Sequence, residues 1–464
     1  MQEDKSEEAS AAADPKDVPE TPWAEQRRTI QESYGRGPGK APWRVAIGTG
    51  AGDTEFLYEH GALLVRQEYY DEVIAILVEL GLFPSEDEQA AGRADAEAAE
   101  GRAERQLVEP VLAGLRLVRL ATESEFDTIE VLQFVTDGGR QNFNGRFVQI
   151  NGAGRDSAAL NHVVPLCGNG AGCPATEPEP VPAVSSPYPG YTPDRGAGDG
   201  VKIVVVDTGF DATAPQRSQW LEGVWGDADY AQSGDTLAKY AGHGTFIAGL
   251  IRCVAPRAEV YVRGVLNFGG SALESDLVQA LDAVLNEDYP DIISMSAGTH
   301  AYDATGLLSF RVFDELRLSH HKGVALVVAA GNDSSRKPFW PAASPFSVSV
   351  GALATSWQGR APFSNFGGWV DIYAPGQDLV NAFPVGSYEY HEPPHVVPGQ
   401  PPRVERFYGM ARWSGTSFST PIVAGLIAAR MTQTGENGRD AAAAIIKEAQ
   451  LNAQPGVGAV VLPE

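Results

Sequence analysis

Val201–Gly209 reads VKIVVVDTG, and this stretch decides the fold. Its near-continuous β-branched run, broken only by Lys202, is what a strand needs when both of its faces are buried. Strands of that kind belong to parallel sheets covered by helices. The pattern then repeats downstream. Similar apolar runs recur at Glu259–Val262, Asp291–Met295, Ala325–Ala329 and Ser347–Val350. Apolar residues at helical spacing lie between or after them, at Leu273–Leu285, Leu308–His320 and Thr420–Thr432. Alternating strands and helices predict an α/β fold, a parallel sheet flanked by helices on both faces. In such sheets catalytic and ligand-binding groups gather beyond the carboxyl ends of the strands. Asp207 closes the first of these runs.

Working upstream, residues 166–198 are dense in Pro, Gly and Ser and read as an inter-domain linker. Residues 43–165 read as a small α+β domain. Ala62–Gln67 is expected to be a strand and Tyr69–Leu80 a helix stopped by Gly81. Leu115–Leu120 and Thr128–Val135 are expected to be two further strands. Residues 85–106, rich in Ala, Glu and Arg, look like a helical or flexible insertion. Residues 1–42 are polar and acidic, and are expected to be disordered. The α/β unit takes residues 199–464.

The chain has 464 residues and a formal charge of −25. Such an acidic surface repels phosphate backbones and argues against nucleic-acid binding. The three cysteines, Cys167, Cys173 and Cys253, form no disulfide framework. Cys167 and Cys173 flank a Gly-rich loop and could pair only under oxidising conditions. The opening MQEDKSEEASAAADPKDVPE has neither a basic start nor an apolar stretch, and no run of 18 apolar residues occurs. The expectation is a cytoplasmic protein with no membrane partner.

Four short motifs sit at strand ends and helix starts. Val206-Asp207-Thr208-Gly209 ends a strand, although Asp-Thr-Gly alone marks ordinary turns and aspartic proteases too. In Gly242-His243-Gly244-Thr245 two glycines allow close backbone approach around an imidazole. Ala330-Gly331-Asn332-Asp333 follows another strand. Ser414-Gly415-Thr416-Ser417 places a serine at a helix start, where a plain N-cap is the ordinary explanation. Together they make one chemistry. A serine hydroxyl needs a base to take its proton, and the base needs an acid to fix its tautomer. The oxyanion that forms needs donors such as an Asn side chain. Every role has one candidate, in the order Asp, His, Ser.

The contexts VVVDTGFD, GHGTFIAGLI, ISMSAG, VVAAGND, FSNFGGWVDIYAPG and SGTSFSTPIVAGL stand in the order of the subtilisin-like serine proteases, and residues 199–435 resemble that family. The resemblance implies a subtilisin-like parallel sheet with a small N-terminal α+β domain. It implies that Asp207 orients His243, His243 is the general base, Ser417 attacks the carbonyl and Asn332 stabilises the oxyanion. It also implies that Ser296-Ala297-Gly298 and Gly269-Gly270-Ser271 form the two edges between which a polypeptide substrate lies as an added strand. No Asp-rich loop identifies a calcium site, so neither metal nor cofactor is carried over. Phe418 stands where many members have Met, and the Pro-rich stretch Phe383–Arg412 is expected near the cleft as a gate or a surface insertion. Sedolisins share SGTS but use a Glu base and an oxyanion Asp, against which His243 and Asn332 argue. Many members carry an N-terminal domain that assists folding and blocks the cleft. Residues 43–165 are placed like one, with self-cleavage then expected between Asn161 and Gly200; the alternative is a permanent accessory domain for partner or substrate binding. The competing expectation is a peptide-binding pseudoprotease that uses the same cleft.

Overall fold

A computed structural model describes residues 21–35, 44–50, 53–84, 107–121, 126–143, 146–166, 175–229, 232–397, 399–451 and 453–463. Its central feature is a seven-stranded sheet in which every pairing is parallel. From one edge to the other the strands are Trp225–Gly226, Glu259–Gly264, Lys202–Asp207, Ile292–Met295, Ala325–Ala329, Val348–Leu353 and Ile372–Pro375. The order reverses between Lys202–Asp207 and Ile292–Met295, which opens a crevice at their carboxyl ends. Val204 and Val206 face one layer of helices, and Ile203 and Val205 face the other. The first layer holds Glu274–Ala283 and Leu308–Leu316, and the second holds His243–Val254 and Thr416–Thr434. Burial on both faces is why the run 201–206 carries almost no polar residue.

The N-terminal elements build a second sheet. Its strands run Val108–Leu112, Leu115–Arg119, Thr54–Arg66 and Ala158–Pro165, with Val45–Gly50 also paired to Thr54–Arg66. Along Thr54–Arg66 the side chains alternate. Leu63 and Val65 share a core with the helices Tyr70–Glu79 and Thr128–Asp137, while Ala62 and Leu64 belong to the core that holds Leu277 and Phe313 of the larger unit. The sheet is therefore covered on both sides, once by its own helices and once by helices of the α/β unit. It also continues into that unit, because Ser271–Leu273 pairs antiparallel with Val163–Pro165.

Three expectations are corrected. Thr128–Asp137 is a helix, not a strand, capped by Asp127, whose side chain accepts from Ile129 N. The β-branched residues of TIEVLQFV suggested a strand, but Val131, Leu132 and Val135 recur at helical spacing and are buried. Pro22–Tyr34, expected to be disordered, is a helix with Thr21 as its cap and Pro22 in its first turn. It is held by burial of Ile30 against Val45, Leu57, Val163 and Leu273. Its Glu25 reaches the nearly buried Lys239, which also pairs with Glu392 at 2.8 Å. Third, residues 175–198 are not a free tether, since Glu179–Pro180 adds to Ala411–Arg412 as a strand and Tyr188 bridges Val380. The expected insertion at 85–106 and the cysteines Cys167 and Cys173 lie outside the described residues. Among the described residues no helix is long and apolar enough to cross a membrane.

Candidate active site

Asp207 ends the central strand at the crevice and is fully buried. Thr208 N donates to its Oδ1 at 2.8 Å. His243 is the first residue of its helix. Gly242 before it takes a left-handed φ of +80°, and a Cβ there would lie 2.3 Å from the ring of Pro384. Glycine is therefore required at this turn. The turn points His243 Nδ1 at the carboxylate, 2.8 and 2.9 Å from the two Asp207 oxygens. An ionised carboxylate only accepts, so Nδ1 carries the hydrogen and Nε2 is the basic nitrogen.

Ser417 lies in the first turn of Thr416–Thr434, and the helix packs beside that of His243. Phe418, the next residue, has its ring centred 5.3 Å from the imidazole, and Trp413 stands edge-on to the imidazole at 5.5 Å. Phe246 completes the aromatic wall at 4.6 Å from Phe418. The wall fixes the imidazole plane and keeps water off one side of it. The helix contains Pro421, which has no N–H to offer the Ser417 carbonyl four residues back. That carbonyl accepts instead from Ser296 Oγ at 3.0 Å.

Asn332 follows the strand Ala325–Ala329. Its Oδ1 accepts from Thr416 N at 2.9 Å and from Thr416 Oγ1 at 3.0 Å, which fixes which end of the amide is nitrogen. Its Nδ2 is buried and makes no hydrogen bond among the described residues. Thr416, which the motif reading did not single out, thus orients the Asn332 amide, and its Oγ1 also accepts from Gly331 N at 3.1 Å.

The two stretches expected to form substrate edges, 269–271 and 296–298, both pair with the chain's own residues. Ser271 is opposite Pro165, and Leu166 N donates to Gly270 O at 2.8 Å. Leu166 forms a bridge with Ala297, and Gly298 N donates to Pro165 O at 3.0 Å. Gly269 packs against Ser33 of the N-terminal helix. Residues 163–166 therefore lie as a strand between the two edges. Asp207, His243, Asn332 and Ser417 all have 0% exposure, so the site is closed to an incoming polypeptide. The stretch Phe383–Arg412 proves to be largely the arms of a hairpin, Leu379–Glu389 paired antiparallel with Val404–Trp413. Its base abuts the imidazole through Trp413. Neither Trp413 nor the self-occupied cleft was legible in the motifs, because both depend on packing between distant segments.

Residues 198–458, over half of the chain, match the family described as the subtilase family, peptidase S8. The chain belongs to that family. It is 32% identical over 266 residues to Proteinase R of Parengyodontium album, covering 54% of this chain and 59% of the relative. It is 30% identical over 253 residues to Subtilisin NAT of Bacillus subtilis subsp. natto, covering 52% and 56%. The chain thus spans under two thirds of the length of these curated relatives. A crystal structure of a cold adapted subtilisin-like serine proteinase aligns at 24% identity and a TM-score of 0.43, over 58% of this chain and 90% of that one.

Proposed function

We propose that this chain is a serine endopeptidase whose N-terminal sheet is an intramolecular inhibitor. The observation that carries the reading is the chain's own segment 163–166, seated as an added strand between Gly270 and Ala297 beside the buried Asp207–His243 pair. A segment so placed is held as an extended substrate would be held.

In the proposed reaction His243 Nε2 takes the Ser417 hydroxyl proton while Ser417 Oγ bonds to the scissile carbonyl carbon. Asp207 stabilises the imidazolium without itself taking the proton. Negative charge develops on the carbonyl oxygen. The buried Asn332 Nδ2 and the backbone N–H groups at the start of the Ser417 helix are the donors that meet it. The imidazolium returns its proton to the leaving amine, and the C–N bond breaks. Water then cleaves the acyl-enzyme by the same steps, regenerating the serine.

Self-cleavage would fall between Leu166 and Thr176, which among the described residues are the last one paired in the cleft and the first one held beyond it. Intact-mass spectrometry of wild type and Ser417→Ala, incubated side by side, tests this. Wild type alone should split within that window. If both chains stay whole, the inhibitor reading is wrong. If Ser417 of a processed chain fails to react with a fluorophosphonate, the peptidase reading is wrong.

A further inference from the structure

The chain beyond that junction is anchored as firmly as the chain before it. Thr176 O accepts from Trp413 Nε1 at 2.6 Å, and Pro178 O accepts from Tyr390 OH at 3.0 Å. Glu179–Pro180 then pairs with the hairpin arm. Glu177 lies between these contacts with only 7% exposure. Its Oε1 accepts from His391 N at 2.8 Å and from Tyr388 OH at 2.9 Å, and its Oε2 accepts from Glu392 N at 2.9 Å. Three donors converge on one carboxylate, two of them backbone N–H groups at the hairpin tip.

That is a built carboxylate seat, and the proposed hydrolysis does not use it. A carboxylate is costly to bury, and a seat with three donors is the arrangement that tolerates one. The seat's position suggests its use. The hairpin that forms it also carries Trp413, which holds Thr176 at one edge and stands 5.5 Å from the His243 ring. Upstream, Leu166 is fixed between Gly270 and Ala297. Leu166 and Thr176, which bound the proposed junction, are therefore both held, the first by Gly270 and Ala297 and the second by Trp413 beside His243.

We infer that Glu177 is a positioning residue for self-cleavage, seating the downstream flank of the junction so that the chain is cut by its own active site. This rests on the endopeptidase reading above. A span tied at both ends stays near the nucleophile at high effective concentration, and untying one end lowers that concentration. Glu177 touches no reacting atom, so its loss should alter how the junction is presented and not how the bond is broken.

The experiment follows cleavage of the full-length chain by intact mass over a wide range of protein concentration. Wild type should be cut with a half-time independent of concentration. Glu177→Ala should be slower by about 10–100-fold, and its residual cleavage should accelerate with concentration, because one molecule then serves another. Tyr388→Phe keeps the buried ring and removes one donor. It guards against a folding defect in the alanine variant, and should shift the half-time in the same direction by a smaller factor. If wild type cuts itself but both variants match its half-time and concentration independence, this inference alone is overturned. Concentration-dependent cutting by wild type overturns it as well. A wild-type chain that stays whole overturns it together with the inhibitor reading, while the fluorophosphonate reaction of Ser417 decides the endopeptidase reading separately.

Discussion

The two flanks of the junction are held by different chemistry. Upstream, the hydrogen bonds of Val163–Leu166 all come from its main chain, by strand pairing with Ser271–Leu273 and contacts to Gly270, Ala297 and Gly298, while Val163, Val164 and Leu166 bury apolar side chains. Backbone pairing reads conformation more than side-chain identity, which suits a cleft that must accept many sequences. Downstream, Thr176–Pro180 adds to its main-chain contacts at Thr176, Pro178 and Glu179–Pro180 one side chain, Glu177, in a fitted seat. A seat of that kind reads a single residue type. On the proposed reading one flank uses the groove in which a substrate strand would lie, and the other uses a contact that such a substrate would lack.

The comparison matters only if the site is alive, so the largest effect concerns the oxyanion donor. Asn332→Ala should lower kcat by about 10²–10³-fold, the loss typical of such an asparagine in subtilisin. Steady-state assay of processed enzyme measures it, and an unchanged kcat would remove Asn332 from the mechanism. Next comes the upstream flank. Asn161 Oδ1 accepts from Ser275 N at 3.1 Å, and its Nδ2 donates to Glu59 at 2.8 Å and to Ser275 Oγ at 3.0 Å, all buried. Asn161→Ala orphans those groups at a cost of about 1–3 kcal/mol. It should hasten release of the cut N-terminal part by about 5–150-fold, visible as a shorter lag before activity.

A pH effect bears on the downstream flank. Burial, with the Glu392 carboxylate adding to it, pushes the pKa of Glu177 up to about 7, against the pull of its hydrogen bonds. Around the seat stand Tyr388, His391 and Glu392 of the hairpin, with Lys239, Tyr240 and Glu25 packed next to them. A carboxyl group whose pKa is raised by docking favours the docked state below its ordinary range, and that advantage is lost as pH rises through about 7. The self-cleavage rate of wild type divided by that of Glu177→Gln should therefore fall several-fold between about pH 6 and pH 8. A flat ratio would show that the seat is indifferent to charge. The smallest effect is expected two residues on. Glu179 pairs with Arg412 at 3.7 Å, and each is 48% exposed. An ion pair in water of that kind contributes little, so Glu179→Ala should change the half-time by less than about twofold. A large change there would mean that the strand, not the seat, anchors this flank.

The parallel sheet was legible because its strands are buried on both faces, leaving unbroken apolar runs such as VKIVVV and ALVVA. The four catalytic candidates were legible because each stands in a local motif at a strand end or helix start. Thr128–Asp137 was misread because β-branched residues are compatible with either state, and an Asp127 cap with buried Val131, Leu132 and Val135 decided for helix. Pro22–Tyr34 is polar on average, and its stability comes from Ile30 and Glu25 meeting partners far along the chain. The Pro-rich 175–198 segment has no periodicity to read. Its order comes from the hairpin beneath it, and Glu177 looks like any acidic linker residue until His391 and Glu392 are beside it.

The proline inside the serine helix has a genetic consequence. Because Pro421 cannot donate to the Ser417 carbonyl, Ser296 supplies the donor from just beyond the strand Ile292–Met295. The two positions are thereby epistatic. Ser296→Ala should be costly on its own, yet milder in a Pro421→Ala background, where a helical N–H returns to the same carbonyl. Two residues more than a hundred positions apart would then compensate one another, and a screen of single substitutions would score Ser296 as intolerant without seeing that its tolerance depends on position 421.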